Sequence, residues 1–214
     1  MDVALSQDGS QAGTGQGRES MDAKGRDREI LRRLARRLAP DAPDLSRANG
    51  RRAAVLAPLV EGAEGFDVLL TRRSDDMPAH AGQIAFPGGG MAAGETALQA
   101  ALRETREEVG IGADFIAPLG FLPAHETATG FVIAPLVGVV GAGYPVCPCA
   151  REVAEVFTIP LAFFMDARNH VREEIPWRGK MRRFWVMQYG EYRVWGATAA
   201  ILRQMWELVH DESA

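Results

Sequence analysis

The residues best suited to chemistry in this chain are Arg103, Glu104, Glu107 and Glu108, within the run Gly88 to Ile111, GGGMAAGETALQAALRETREEVGI. From Thr96 to Val109 no Gly or Pro interrupts a series of strong helix formers, so the spacing predicts a helix. A helix turns roughly 100° per residue, which brings Glu104, Glu107 and Glu108 onto one face within about a turn. Two carboxylates about 5 Å apart repel by roughly 3 kcal/mol at an effective dielectric near 20. A bound divalent cation offsets that repulsion, and hard oxygen donors suit Mg2+ or Mn2+. Glu104 and Glu108, at i and i+4, converge most directly and are the first candidate ligands. Glu107 is the third, placed to be shared between two ions. Arg103 lies one turn before Glu107 and can hold its carboxylate in a charge-assisted bond, a supporting catalytic role. The plain alternative is a solvated acidic face partly neutralised by Arg103 and Arg106.

The surroundings of the acidic cluster favour the cation. A Gly-rich turn at Gly88, Gly89 and Gly90 precedes the helix, and free backbone N–H groups there suit a bound anion. Glu95 stands near the helix start, and Gly110 with Ile111 closes the run. A phosphate chain clamped between glycines and a metal points to hydrolysis of a pyrophosphate linkage. The spacing from Gly89 through Glu95, Arg103, Glu104, Glu107, Glu108 and Gly110 to Ile111 resembles the Nudix box. One apolar position is filled by Thr105, whose methyl group can still pack. The resemblance implies a Nudix fold, an α/β/α sandwich around a mixed β-sheet, and the metal and supporting roles just given for the box residues.

The stretch ahead of the box, LLTRRSDDMPAHAGQIAFPGG from Leu69 to Gly89, resembles the signature of the coenzyme A pyrophosphatases within that family. The likeness continues through Leu119 to Pro123, Thr127 to Gly130, Glu152-Val153 and Val194 to Ala199, and spans roughly Arg28 to Val209. It implies cleavage of coenzyme A to 3',5'-ADP and 4'-phosphopantetheine with Mg2+ or Mn2+, extending to coenzyme A derivatives. That substrate carries a diphosphate and a separate 3'-phosphate, so its pocket needs cations besides the metal. Arg73 and His80 are the candidate phosphate contacts, with Gly88 and Gly89 lining the substrate. Strand alternation turns one of Arg72 and Arg73 outward. For a general base, Glu152 is the first candidate, with Glu155 and Glu126 as competitors.

These residues need a scaffold, and a chain of 214 residues is long enough for one domain with a sizeable core. Residues 1 to 26, rich in Gly, Ser, Gln and Asp, read as a disordered tail, leaving 27 to 214 as the catalytic domain. A basic amphipathic helix is expected from Arg28 to Leu38. Apolar, β-branched runs predict a hairpin from Ala53–Val60 and Phe66–Arg72, then strands at Gln83–Phe86, Phe115–Phe121, Phe131–Val140 and Val153–Ile159. A helix from Leu161 to Ala167, a strand pair at Val171–Ile175 and Arg183–Tyr189, and a last helix from Gly196 to His210 complete the series. Strands and helices mix without regular βαβ alternation, which indicates an α/β sandwich around a mixed sheet.

Composition narrows the partners. The chain is 47% apolar and 24% charged with a formal charge of -4, so no strongly basic domain coats nucleic acid. No apolar run approaches a membrane span, and no signal-peptide core opens the sequence, so a cytoplasmic monomer or homodimer is expected. Cys147 and Cys149 exclude a disulfide framework by number and make a weak metal motif; two reduced thiols in a loop are the expectation. Two rival readings stand beside coenzyme A cleavage. One is a Nudix hydrolase of another nucleoside diphosphate derivative such as ADP-ribose. The other is a non-catalytic nucleotide-binding Nudix domain, disfavoured because Glu95, Glu104, Glu107 and Glu108 are all retained.

Overall fold

A computed structural model describes residues 14–46, 50–76, 81–177 and 179–211, without the side chains of 14–22 and 177. Its centre is a mixed sheet built on two long apolar strands, β1 (Arg51–Glu61) and β7 (Phe131–Val140), which run parallel from Arg51↔Phe131 to Val60↔Val140. Parallel pairing requires a crossover. Here it contains β2 (Phe66–Arg73), β3 (Ile84–Ala85), β4 (Gly88–Gly90), α2 (Ala97–Val109), β5 (Ile116–Phe121) and β6 (His125–Glu126). The path through the sheet is β3-β2-β1-β7-β5, with β4 on β1, β6 on β7 and β8 (Val153–Pro160) on β2, all antiparallel.

Period-two alternation in β1 divides the core. Ala53, Ala57 and Leu59 face α1 (Thr14–Arg37), α3 (Leu161–Phe164) and α4 (Gly196–His210), where they meet Leu34, Phe164, Ile201 and Met205. Ala54, Leu56 and Val60 face α2 and meet Ala97, Ala100, Ala101 and Val109. Each of the large side chains contributes about 1.5–3 kcal/mol on burial. Helices thus cover both faces of a mixed sheet, the expected sandwich. A second sheet of β9 (Val171–Trp177), β10 (Lys180–Tyr189) and β11 (Tyr192–Trp195) turns Met187 and Val194 into the same core as α4. No helix among the described residues is long and apolar enough to cross a membrane.

Several expected boundaries move. The first helix starts at Thr14 rather than Arg28, so residues 14–26, expected to be disordered, are helical; residues 1–13 lie outside the described set. A polar anchor that apolar periodicity cannot register ties this helix to the sheet at Asp27. Asp27 is buried and its Oδ2 accepts the Phe66 N–H at 2.7 Å. Gly65 makes room, since a Cβ there would lie 2.2 Å from Asp27 Oδ2. The basic face of this helix is also partly structural: Arg33 and Arg37 donate to the Val209 and Leu208 carbonyls at the end of α4. Two short strands, β4 and β6, form where turns or loops were expected, because ladder bonds to β1 and β7 hold segments with no apolar pattern, and β11 pairs with β10 in a stretch given no element. The helix expected to run from Leu161 to Ala167 stops at Phe164.

The Asp27 anchor is testable by urea unfolding. Asp27→Ala orphans the Phe66 N–H and is expected to lower stability by about 1–3 kcal/mol. Asp27→Asn keeps an acceptor and should lose clearly less. Equal losses for the two variants would show that this hydrogen bond does not hold the helix.

Candidate active site

Helix α2 is fixed at both ends. Thr96 and Gln99 form a reciprocal capping box, with the Gln99 N–H on Thr96 Oγ1 at 3.2 Å and the Thr96 N–H on Gln99 Oε1 at 2.9 Å. Gly110 ends the helix in the left-handed region at φ 81°, where only glycine is unstrained, and its N–H closes on the Arg106 carbonyl. The buried stripe runs through Ala97, Ala100, Ala101, Thr105, Glu108 and Val109. Thr105, the departure from an apolar residue, is buried and donates its hydroxyl to the Ala101 carbonyl at 2.7 Å, so no polar atom is stranded.

Glu108 lies on that buried stripe and is 4% exposed. Its Oε2 accepts the Gly88 N–H at 3.0 Å, and Arg73 Nη1 stands 3.8 Å from Oε1. Burial pushes its pKa up to about 7 against the pull of the Gly88 N–H and Arg73, and the like charges of Glu104 and Glu152 add to the rise. The carboxylate lies in low dielectric with less positive charge around it than its burial calls for.

The three glycines are not the expected anion-binding turn leading into the helix. They form β4, paired with Ala53, Ala54 and Val55 of β1, and the helix begins only at Ala97. The Gly88 N–H is committed to Glu108 and cannot serve a phosphate. At Gly88 and Gly89 the lack of a side chain is the operative property. A Cβ at Gly88 would lie 2.5 Å from the Ala54 carbonyl oxygen, and one at Gly89 would lie 2.6 Å from the Glu104 carboxylate.

Arg103 ties the acidic cluster together. Its Nε and Nη2 meet Glu95 Oε1 and Oε2 at 2.8 and 2.9 Å, a two-pronged contact. Nη1 meets Glu104 Oε1 at 2.7 Å and Glu107 Oε2 at 3.0 Å, while Nη2 also donates to the Gly90 carbonyl at 3.1 Å. The guanidinium, with help from the Ala92 N–H, holds the Glu95 carboxyl down at about 2. Glu95 was legible as a box position, but its task as anchor of Arg103 was not; nothing in its spacing says that the arginine folds back across two turns.

Whether a divalent cation fits can be read from these donors. Among the described residues, no three His, Cys, Asp or Glu side chains already converge as an ion cage. The donor chemistry nevertheless suits a hard cation. Arg103 engages Glu104 through Oε1 and Glu107 through Oε2, while the buried Glu108 lacks a full counter-charge. Glu104 and Glu108 are the residues that would hold the ion, with the 59% exposed Glu107 side chain as the outer ligand.

The other candidates separate by sheet face. Arg73 turns towards Glu108, and its side chain is 23% exposed. Its buried Nε has no hydrogen-bond partner, so one donor of the guanidinium is unspent. Arg72 turns to the opposite face, where Nη2 meets Glu155 Oε2 at 3.1 Å and Tyr192 Oη donates to Glu155 Oε1 at 2.8 Å. Glu155 is therefore removed from the carboxylate site. Glu152 is exposed in the segment entering β8, where its carbonyl accepts the Ser74 N–H at 2.9 Å and its charge is felt by Glu108. Glu126 is exposed on β6, opposite Val132. His80 lies outside the described residues.

Comparison with known proteins gives a consistent picture. The NUDIX domain model matches residues 50–160. A protein named "Uncharacterized Nudix hydrolase NudL" from Cronobacter sakazakii is 40% identical over 166 residues, 76% of this chain and 86% of that one. Its namesake in Escherichia coli K12 is 39% identical over 158 residues, 73% and 82% of the two chains. Among solved structures, a MutT/nudix family protein from Enterococcus faecalis superposes with a TM-score of 0.52 at 17% identity, covering 93% of this chain and 74% of that one. A Deinococcus radiodurans protein gives 0.51 at 14% identity, covering 78% and 98%. These two similarities concern the fold.

The close approach at Gly89 generates a sharp expectation. Gly89→Ala must displace the Glu104 carboxylate, and misplacing a working group by about an ångström costs on the order of 10²-fold in rate. Phosphoanhydride hydrolysis with Mn2+, measured beside a thermal melt, is expected to show that loss with the fold retained. Activity within about threefold of the parent would mean that Glu104 need not stay where it is.

Proposed function

The chain belongs to the Nudix hydrolase family, and from that premise we propose that it hydrolyses the pyrophosphate linkage of coenzyme A to 3',5'-ADP and 4'-phosphopantetheine. Its reaction class is pyrophosphate hydrolysis, and divalent metal ions serve such enzymes generally. The substrate assignment rests on the resemblance of Leu69 to Gly89 to the coenzyme A pyrophosphatase signature. One structural observation supports it: that segment is bonded into the carboxylate site through both Arg73 and the Gly88 N–H. Selector and box are one piece of structure.

Glu104 and Glu108 would hold a divalent cation, which would supply charge neutralisation on the diphosphate and activation of water. The chain's own groups do the rest. Arg103 bonds one oxygen of Glu104 and one of Glu107 and so keeps their orientation. Arg73, whose guanidinium is partly exposed beside Glu108, is the contact for an oxygen of the diphosphate. Its place beside Glu108 ties it to that group rather than to the distant 3'-phosphate. Glu152 is the general base, accepting the proton of the attacking water from the solvent side of the site.

A kinetic panel tests these assignments. The purified chain with Mg2+ or Mn2+ is given coenzyme A, its disulfide, an acyl derivative, 3'-dephospho-coenzyme A and ADP-ribose, with products identified by mass. Coenzyme A and its thiol derivatives are expected to be cleaved with release of 3',5'-ADP. ADP-ribose cleaved in preference would move the enzyme to the rival substrate class. Arg73→Ala is expected to lower kcat/KM by about 10–100-fold, alike for coenzyme A and its 3'-dephospho form; a loss confined to coenzyme A would place Arg73 on the 3'-phosphate. Glu152→Gln should lower kcat by about 10²–10⁴-fold, and a loss under about tenfold removes it as the base.

A further inference from the structure

The loop carrying Cys147, Pro148 and Cys149 is bonded to the working end of α2. The Cys147 N–H donates to the Val109 carbonyl and the Cys149 N–H to the Glu108 carbonyl, each at 2.9 Å. The Cys149 carbonyl in turn accepts the N–H groups of Glu152 and Val153, also at 2.9 Å. One residue, Cys149, therefore joins the backbones of Glu108 and Glu152 directly. Cys147 packs on the helix cap in the space that Gly110 leaves by having no side chain, since a Cβ there would lie 2.9 Å from Cys147 Cβ. Both cysteines are free thiols, Cys147 exposed and Cys149 partly buried.

We propose that Cys147 and Cys149 are a thiol–disulfide exchange site that takes the disulfide of a small thiol and, once closed on itself, switches off the adjoining catalytic end of α2. The regulatory half rests on Glu108 being a working carboxylate; the exchange chemistry does not. A disulfide needs Cα atoms about 4.4–6.8 Å apart, and two trans peptide steps through a proline with fixed φ, at about 3.1 Å per residue when extended, end inside that window. The exposed Cys147 thiolate attacks one sulfur of the small disulfide, breaking its S–S bond and releasing one thiolate, which takes up a proton. Cys149, as thiolate, then attacks Cys147 Sγ in the mixed disulfide and expels the second thiol. The net change is one small disulfide reduced to two thiols and two protein thiols oxidised to one bridge. Both residues are tied by their N–H groups to the end of α2, so drawing the two sulfurs together pulls on the Cys147 bond to Val109 and on the Cys149 bond that caps the Glu108 carbonyl. The last turn of α2 then loses an anchor, and Glu152 moves with the same residue.

Glutathione disulfide is the probe, applied to the full chain with Mg2+ and followed by intact mass, by hydrolysis rate and by deuterium uptake in 103–110. The chain has only two cysteines, so the masses are unambiguous. The expected product is the chain lighter by two hydrogens with no adduct, and Cys149→Ser should trap one glutathione on Cys147. Hydrolysis should fall by at least about tenfold, in keeping with a misplaced carboxylate, and recover with a reductant. Deuterium uptake in 103–110 should rise together with that fall. The Cys147→Ser/Cys149→Ser variant should keep its rate and ignore the probe. A chain that stays reduced, or that keeps its adduct, overturns the exchange site. A bridge that forms without altering deuterium uptake overturns the switch even if coenzyme A proves not to be the substrate. Looser exchange with an unchanged rate would instead count against Glu108 as a working carboxylate, and the switch falls with it.

Discussion

A carboxylate buried to 4% exposure must be neutral, paired or bonded to a cation, and Glu108 is held by a backbone N–H on one oxygen and a distant guanidinium on the other. Much of the structure follows from keeping it there. Glu108 can be buried only because Thr105, Ala101 and Ala100 continue the same stripe beneath the sheet. It can reach β4 only because Gly88 and Gly89 have no side chains to fill the gap. The arrangement concentrates negative charge where desolvation is already costly, and it does so beside Glu104 and Glu152. A divalent cation relieves all of these at once, which is why the acidic cluster is better read as a site than as a solvated face.

Arg103 supplies a second constraint. In a helix it would ordinarily serve one carboxylate at i+4. Here it spans Glu95, Glu104 and Glu107 and reaches the Gly90 carbonyl, closing the loop between β4 and α2 over the first turns of the helix. Glu95 gives both oxygens to that guanidinium, whereas Glu104 and Glu107 give one each and Glu108 gives none. The division of labour among the box acids is therefore set by one guanidinium and its reach.

What could be read in advance followed the physics of each signal. Strands β1 and β7 and helices α2 and α4 are long and periodic, and their positions were legible within a few residues, though the cap at Thr96 and the parallel pairing were not. The start of α1 was not, because Thr14 to Arg26 carries three glycines and little apolar periodicity, and neither was the bond from Asp27 to Phe66, far along the chain. The glycine run was legible as essential but not as a strand, since its ladder partner is β1 and its task is to leave space. At the site, i and i+4 spacing was enough to pick out Glu104 and Glu108. It could not say that Glu108 points inward to a backbone N–H, nor that alternation sends Arg73 to the site and Arg72 to Glu155 on the other face.

The central claim is that Glu108 and Glu104, set by the glycine strand, hold the ion on which hydrolysis depends. Anomalous diffraction from crystals of the chain soaked in Mn2+ tests it most directly. The account predicts a manganese peak within ligand distance of Glu104 and Glu108, with Glu107 at its edge and Arg103 still on Glu95. A peak bound elsewhere, or none in crystals whose protein hydrolyses phosphoanhydrides with Mn2+, would contradict it.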